Sequence, residues 1–219
     1  MQRVRAFESV EGATPSPLAI RELVGKKVDL WYMRSPKNNC RFVLSGEPLY
    51  LLAITLEANQ QVRSYSPCGT DENPDNLDTL VPQLCSEDLA GAITKYYTVR
   101  LRGSKPRRSK FQDVAEKDGI RIITDEWLYD QRILIDNWIF LCAAINRVRN
   151  SHLFGEVDVL AAAVSRSRSW SLGELLALPD IDKAKILGLV ASMLQSGTAF
   201  FNTASEPLTR NSVIRFGEQ

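Results

Sequence analysis

Between residues 95 and 150 the chain alternates twice between the residue pattern of a strand and that of a helix. Residues 96–102 alternate apolar and polar side chains with a period of two, which is typical of a strand with one buried face. Apolar residues at helical spacing follow in 109–119, and residues 120–124 (IRIIT) predict a second strand. Thr124 and Asp125 are good N-cap residues for a helix that extends to about Ile145. Strand, helix, strand and helix in this order predict two parallel strands and therefore an α/β domain.

The residues before this region predict an arm and the first elements of the same domain. Residues 1–17 are mostly polar and contain Pro15 and Pro17, so we expect a flexible arm there, and we assign 18–150 to the α/β domain. The elements predicted within it, in order, are a hairpin (27–33 and 40–44), a buried helix (49–56), a short strand (61–66) and an exposed acidic loop (68–79).

The end of the chain has the pattern of a second, smaller domain, which we assign to residues 156–219. A helix is predicted over 157–164, followed by a polar link at 165–170. Ser171 begins a capping box with Glu174, and a longer amphipathic helix is predicted over 181–195. Two strand-like pieces, TAFFN and SVIRF, finish the chain. Three helices followed by a β-ribbon are typical of a winged helix, a domain that binds DNA in some proteins and other proteins in others.

A cluster of basic residues lies in and after the predicted strand at 96–102. Seven basic residues and no acidic one occur from Lys95 to Lys110, although the net charge of the whole chain is only +1. Such a cluster suits a polyanion, but it is also what an ordinary solvated surface contains. In the third helix of the predicted winged helix only Lys183 and Lys185 are basic. The candidate DNA-binding residues are Arg100, Arg102, Lys105, Arg107, Arg108, Lys110, Lys183 and Lys185.

The chain contains no apolar run of the roughly 20 residues that span a bilayer, and its first residues lack the apolar core of a signal peptide. We therefore expect a cytoplasmic protein without a membrane partner. The four cysteines have no CxxC spacing and His152 is the single histidine. The sequence thus favours reduced thiols over disulfides or zinc, and it predicts no metal site.

Four passages of this sequence resemble the TnsA-like endonuclease subunit of multi-subunit bacterial transposases. They are LEANQQVRSYSP, VPQL, YYTVRLRGSKPRRSKFQDVAEKDGIRIITDEWL and SLGELLALPDIDKAKILGLVASMLQSGTAFF, and together they span most of residues 25–216. The resemblance implies an α/β fold: a restriction-endonuclease-like mixed sheet flanked by helices, followed by a small winged-helix domain. It also implies DNA and a transposase subunit, or another transposition protein, as partners.

The chemistry of that family requires carboxylates that hold a divalent metal against the scissile phosphate. The family has a glutamate on an early helix, an aspartate in a Pro-Asp-aromatic strand and a Glu/Gln-x-Lys pair on the next strand. In this sequence the helix position falls on Leu49 or near it on Ser45, with Glu47 as a weak alternative, and the aspartate position falls on Gln83. The last pair falls on Thr98 and Arg100, or on Arg100 and Arg102. A neutral amide is a poor substitute for a carboxylate that bridges a hard dication.

These departures predict a catalytically inactive TnsA-like protein that binds DNA or a transposase partner in a transposition assembly. No cofactor is then expected. Two alternatives stay open. One is an active endonuclease that uses Mg²⁺ at a rearranged site built from Glu47, Glu57 or Glu87 together with Asp88. The other is an adaptor that binds a protein partner and no DNA.

Overall fold

A computed structural model of the chain describes residues 29–68, 83–99 and 119–217. The predicted arm at 1–17, most of the predicted acidic loop and all but the last residue of the predicted helix at 109–119 lie outside these residues. The basic residues Arg100, Arg102, Lys105, Arg107, Arg108 and Lys110 also lie outside them. Among the described helices none is long and apolar enough to cross a bilayer.

The described chain begins with an antiparallel hairpin of β1 (Leu30–Ser35) and β2 (Cys40–Ser45), which confirms the predicted hairpin. Gly46, with φ of +90°, leads into helix α1 (Glu47–Ala58), which has Pro48 in its first turn. This helix is longer than predicted. Its buried residues include Leu52, Ala53 and Leu56, so the apolar run packs into the core as expected.

A four-stranded mixed sheet follows, flanked by helices. Its strands are β3 (Val62–Pro67), β4 (Leu84–Asp88), β5 (Ile93–Val99) and β6 (Ile120–Thr124), in that spatial order. Neighbours β3, β4 and β5 pair antiparallel, while β5 and β6 pair parallel, with Lys95 opposite Ile120. The parallel pair predicted from the sequence is therefore confirmed. Strand β4 was not predicted from periodicity, and only the family resemblance implied a strand near Gln83 and Leu84.

The first two strands of this sheet are joined by a disulfide bond between Cys68 and Cys85, whose Cα atoms are 5.9 Å apart. The expectation of reduced thiols is wrong for this pair. Cysteine spacing along the chain misses the pairing because the register of β3 and β4 sets Ser66 opposite Cys85 and so brings the end of β3 to it. Cys40 and Cys142 are free.

The single helix predicted from Asp125 to Ile145 is two helices, α2 (Asp125–Asp130) and α3 (Arg132–Val148), which meet at Gln131. The predicted N-cap is confirmed: the Thr124 hydroxyl accepts a hydrogen bond from the Trp127 backbone N–H at 3.2 Å. The apolar residues of these two helices do not all reach the core. Trp138 is buried, whereas Ile133, Ile139 and Trp127 are 37–39% exposed.

The remaining elements form a separate three-stranded sheet with three helices around it. In chain order they are α4 (Phe154–Arg166), β7 (Ser169–Ser171), α5 (Leu172–Leu175), α6 (Lys183–Ser196), β8 (Ala199–Phe200) and β9 (Val213–Phe216). Strand β9 lies between β7 and β8 and is antiparallel to both. The capping box of Ser171 and Glu174 and the ribbon of β8 and β9 are confirmed. The predicted polar link at 165–170 is partly wrong because its last two residues begin β7.

Helices α3 and α6 pack closely against each other, and one glycine permits this. A Cβ atom built on Gly188 of α6 would lie 2.3 Å from Cγ2 of Val148 and 3.0 Å from the carbonyl oxygen of Ala144. Buried residues of α1, α3 and α6 belong to one continuous apolar cluster, so the C-terminal elements share their packing with the first part of the chain.

Candidate functional site

Gln83, which the resemblance placed at the aspartate position of the family motif, immediately precedes β4 and contacts β5. Its side-chain oxygen accepts a hydrogen bond from the backbone N–H of Thr98 at 3.0 Å and another from the Thr98 hydroxyl at 2.5 Å. Gln83 is exposed and Thr98 is half-buried. The structure thus brings together two of the positions that the sequence singled out. Thr98 lies beside Gln83, and Arg100 lies outside the described residues.

The other positions of the motif are not gathered at this point by any described contact. Leu49 is buried in the first half of α1, where it belongs to the apolar cluster. Glu47, the weak alternative, is the first residue of α1 and is exposed. Arg100 and Arg102 lie outside the described residues.

The carboxylates considered for a rearranged metal site have separate structural partners. Glu87 forms an ion pair with Arg63 across β3 and β4, with 3.2 Å between Oε1 and Nη1. Asp88 accepts hydrogen bonds from the backbone N–H groups of Ala90 and Ala92 in the turn between β4 and β5. Glu57 is fully buried on α1. In the part of the chain that the structure describes, no three His, Cys, Asp or Glu side chains are grouped as metal ligands would be.

Of the candidate DNA-binding residues, the structure describes Lys183 and Lys185. Lys183 is exposed at the start of α6. Lys185 forms an ion pair with Glu156 of α4, with 3.0 Å between Nζ and Oε1, and this hydrogen bond lowers the pKa of Glu156. From residue 184 to residue 195 every residue of α6 is buried or half-buried. Among the described residues of α6, Lys183 is therefore the one lysine that is exposed and has no ion-pair partner.

A second polar centre lies around the carboxylate of Glu57, which the sequence analysis named only as a possible metal ligand. Its Oε1 accepts hydrogen bonds from the hydroxyls of Ser35 and Tyr65, the latter at 2.6 Å. Its Oε2 accepts from the backbone N–H of Lys37 at 3.1 Å and from Nε2 of Gln195 at 2.7 Å. Four donors from β1, the β1–β2 turn, β3 and α6 thus converge on one carboxylate. This satisfies the carboxylate, as a buried charge requires.

The Lys37 side chain adds a half-buried cation beside this centre. Its ammonium donates hydrogen bonds to the backbone carbonyls of Asn59 and Val62. Burial lowers the pKa of Lys37 to about 8, although the charge of Glu57 opposes the shift. Burial also raises the pKa of Tyr65, and the charge of Glu57 raises it further. The surroundings therefore favour a neutral phenol beside the carboxylate.

Because every acceptor site of Glu57 is occupied by a protein donor and the side chain is fully buried, this centre has the character of a structural node. It joins α1 to α6 and lacks the open position that a substrate or metal would need. We call Glu57, Ser35, Lys37, Tyr65 and Gln195 the Glu57 node.

Comparison of the chain with protein-family models, with curated proteins and with solved structures found no match.

Proposed function

We propose that this protein is a catalytically inactive, TnsA-like component of a DNA transposition assembly, and that it binds DNA, a transposase partner or both. The observation that carries the proposal is the contact between Gln83 and Thr98. The family motif requires an aspartate and a Glu/Gln-x-Lys pair on neighbouring strands, and two of these positions meet here as an amide and a hydroxyl. Neither group carries the negative charge that holds a dication at a scissile phosphate.

The architecture supports a restriction-endonuclease-like core. Such a core is a mixed sheet flanked by helices, and the four strands β3 to β6 form a mixed sheet with one parallel pair. Helix α1 precedes this sheet, as the early helix of the motif does. Strand β4 begins directly after Pro82 and Gln83, and the next strand, β5, carries Thr98.

The end of the chain supports a winged helix. Helices α4, α5 and α6 are followed by the antiparallel ribbon of β8 and β9, which is the order that the sequence predicted. Strand β7 completes the sheet on the other edge of β9. In this proposal the winged helix occupies 156–219.

One observation favours the adaptor as a second candidate function. A winged helix that reads DNA presents its third helix to the groove, and that helix is α6 here. Within the described residues, α6 exposes Lys183 but holds Lys185 in an ion pair with Glu156. This distribution suits a winged helix that contacts protein rather than DNA, as the adaptor without DNA binding requires.

DNA binding distinguishes the two. Fluorescence anisotropy with a labelled duplex, measured at several salt concentrations, gives the slope of log K against log salt. Replacement of Arg107, Arg108 and Lys110 by Ala is expected to weaken binding to unrelated sequences uniformly and to reduce the slope by about three phosphate contacts. The matched control replaces three exposed arginines elsewhere, Arg147, Arg149 and Arg166, and removes the same charge.

An unchanged slope in the first variant, or an equal loss in the control, would contradict DNA binding by the cluster. In the same preparation, incubation with Mg²⁺ or Mn²⁺ is expected to leave supercoiled DNA uncut. Metal-dependent nicking that is lost in Glu47→Ala would show that the catalytic site is displaced and active.

A further inference from the structure

A groove of about 500 Å³ lies where the start of α1 meets α2, α3 and the hairpin. One wall is aromatic. The rings of Trp31 on β1 and Tyr50 on α1 stack with 4.7 Å between their centroids, and Tyr129 of α2, which is 74% exposed, lines the same groove. Stacked and exposed aromatic faces attract cations as well as apolar groups.

The charges around the groove are mainly negative. Glu47, Asp125 and Asp136 line it together with one cation, Arg132. Arg132 is paired with Asp136 at 3.2 Å, which leaves Glu47 and Asp125 with no ion-pair partner in the part of the chain that the structure describes. Each of these two residues is in the first turn of its helix, where the helix dipole favours a carboxylate. The dipole explains each residue alone, but it does not require both to line one aromatic groove.

Next to the groove, an adjoining side of α3 carries an apolar strip. Ile139 lines the groove, and the adjacent Phe140 is 49% exposed. Ile133, which lies seven residues before Phe140 and so on the same side of α3, is 38% exposed. Large apolar side chains clustered on an exposed helix mark an interaction surface more often than isolated ones do.

From these features we propose that the groove binds a short basic and apolar segment of a partner protein. Lysine or arginine side chains of the segment lie between the aromatic wall and the carboxylates of Glu47 and Asp125, and its apolar side chains cover Ile139 and Phe140. Charge complementarity selects this occupant, since two carboxylates without an ion-pair partner among the described residues disfavour an acidic segment or a nucleic acid. The length of the apolar strip favours a peptide over a small amine. The proposal is independent of the DNA-related function above.

The test uses two fluorescein-labelled 12-residue peptides with the full-length protein. One alternates Lys or Arg with Leu, and the other has Glu in place of every basic residue. Anisotropy is expected to show saturable binding of the basic peptide that weakens as salt increases, and no saturable binding of the acidic peptide.

Each groove variant has a control variant outside the groove. Glu47→Gln combined with Asp125→Asn is expected to weaken the basic peptide about tenfold, because two exposed ion pairs are lost. Tyr129→Ala is expected to weaken it about threefold. Their controls are Glu126→Gln, which neutralises an exposed first-turn carboxylate of the same helix, and Tyr32→Ala, which removes a 64% exposed tyrosine outside the groove. Both controls are expected to bind as the unaltered protein does.

Three results would overturn the proposal. The first is the absence of saturable binding by the basic peptide. The second is equal binding of the acidic peptide, or an equal loss in the controls and in the groove variants. The third is self-association in sedimentation analysis that the groove variants abolish, because the occupant would then be a second copy of this chain. Circular dichroism of each variant separates a lost interaction from a lost fold.

Discussion

Replacement of Glu57 by Leu tests whether the Glu57 node stabilises the folded protein. The change removes the acceptor and keeps the four donors. Ser35 and Tyr65 are the critical donors, since both side chains are buried and water does not readily replace the lost carboxylate. Gln195 and Lys37 are only half-buried, so their N–H groups retain access to solvent.

The magnitude follows from these two buried hydroxyls. A buried donor without a partner costs about 1–3 kcal/mol, so the pair costs roughly 2–6 kcal/mol. Burial of the leucine side chain and removal of a buried charge offset part of this, by about 1–2 kcal/mol. We expect Glu57→Leu to lower the free energy of unfolding by about 1–4 kcal/mol, measured by urea denaturation with tryptophan fluorescence and circular dichroism.

Glu57→Gln separates the hydrogen bonds from the charge. Its amide nitrogen can face Ser35 and Tyr65, whose hydroxyls rotate to accept, while its oxygen keeps the N–H groups of Lys37 and Gln195. This variant is therefore expected to lose less than about 2 kcal/mol. Glu126→Gln, at an exposed position, serves as the control. If Glu57→Leu unfolds at the same urea concentration as the unaltered protein, the node does not stabilise the fold and the reasoning fails.

Three further predictions concern separate parts of the molecule. First, the pKa of Lys37 is about 8 in the folded protein and 10.5 in the unfolded chain. Below pH 8 the protonated amine therefore lowers the stability of the folded state. This destabilisation disappears as the pH rises from 8 to 10.5. The free energy of unfolding should therefore increase over that window by up to roughly 2 kcal/mol relative to Lys37→Met, in denaturation series at each pH, and a constant difference would contradict this. Second, Gly188→Ala should destabilise the protein by about 1–3 kcal/mol in urea, because its Cβ meets Val148, whereas a stabilised variant would show that α6 moves away at no cost. Third, the combined changes Gln83→Asp, Thr98→Glu and Arg100→Lys should create Mg²⁺ binding that isothermal titration detects, and an unchanged heat signal would remove the assignment of these positions.

The elements that the sequence predicted are those with strong local signals. Strand β6 was predicted to the residue, and the caps at Thr124 and Ser171 were predicted because a cap depends on side chains within three residues. The break at Gln131 was missed because the apolar spacing continues across it, and only tertiary packing decides that Ile133 and Ile139 are half exposed.

The Glu57 node illustrates what local signals leave out. Glu57 lies four residues after Ala53 and eight after Leu49, so helical spacing places it on their buried face. That spacing could have predicted burial of the carboxylate. The donors could not have been predicted in the same way, because Ser35 and Gln195 are distant in sequence and meet Glu57 only through the packing of β1 and α6 against α1.

The Cys68–Cys85 bond and the Gln83 contact depend on strand register in the same way. Residues 84–88 contain two acidic residues and little apolar alternation, so the strand is defined by its partners β3 and β5 rather than by its own pattern. Once β4 is placed, Cys85 faces the end of β3 and Gln83 reaches Thr98 on β5.

The C-terminal elements are joined to the α/β part of the chain by directional contacts as well as by apolar packing. Gln195 donates to Glu57, and Nε2 of Gln60 donates to the carbonyl oxygen of Leu194 at 2.9 Å. On the other side, Nδ2 of Asn137 in α3 donates to the carbonyl oxygens of Thr203 and Glu206. Apolar contacts tolerate a small slide of one helix over another, but hydrogen bonds to buried or half-buried groups do not. A partner that fixes α6 and the β8–β9 ribbon would therefore also fix α1 and α3, which are two of the three helices that line the groove beside Trp31 and Tyr50.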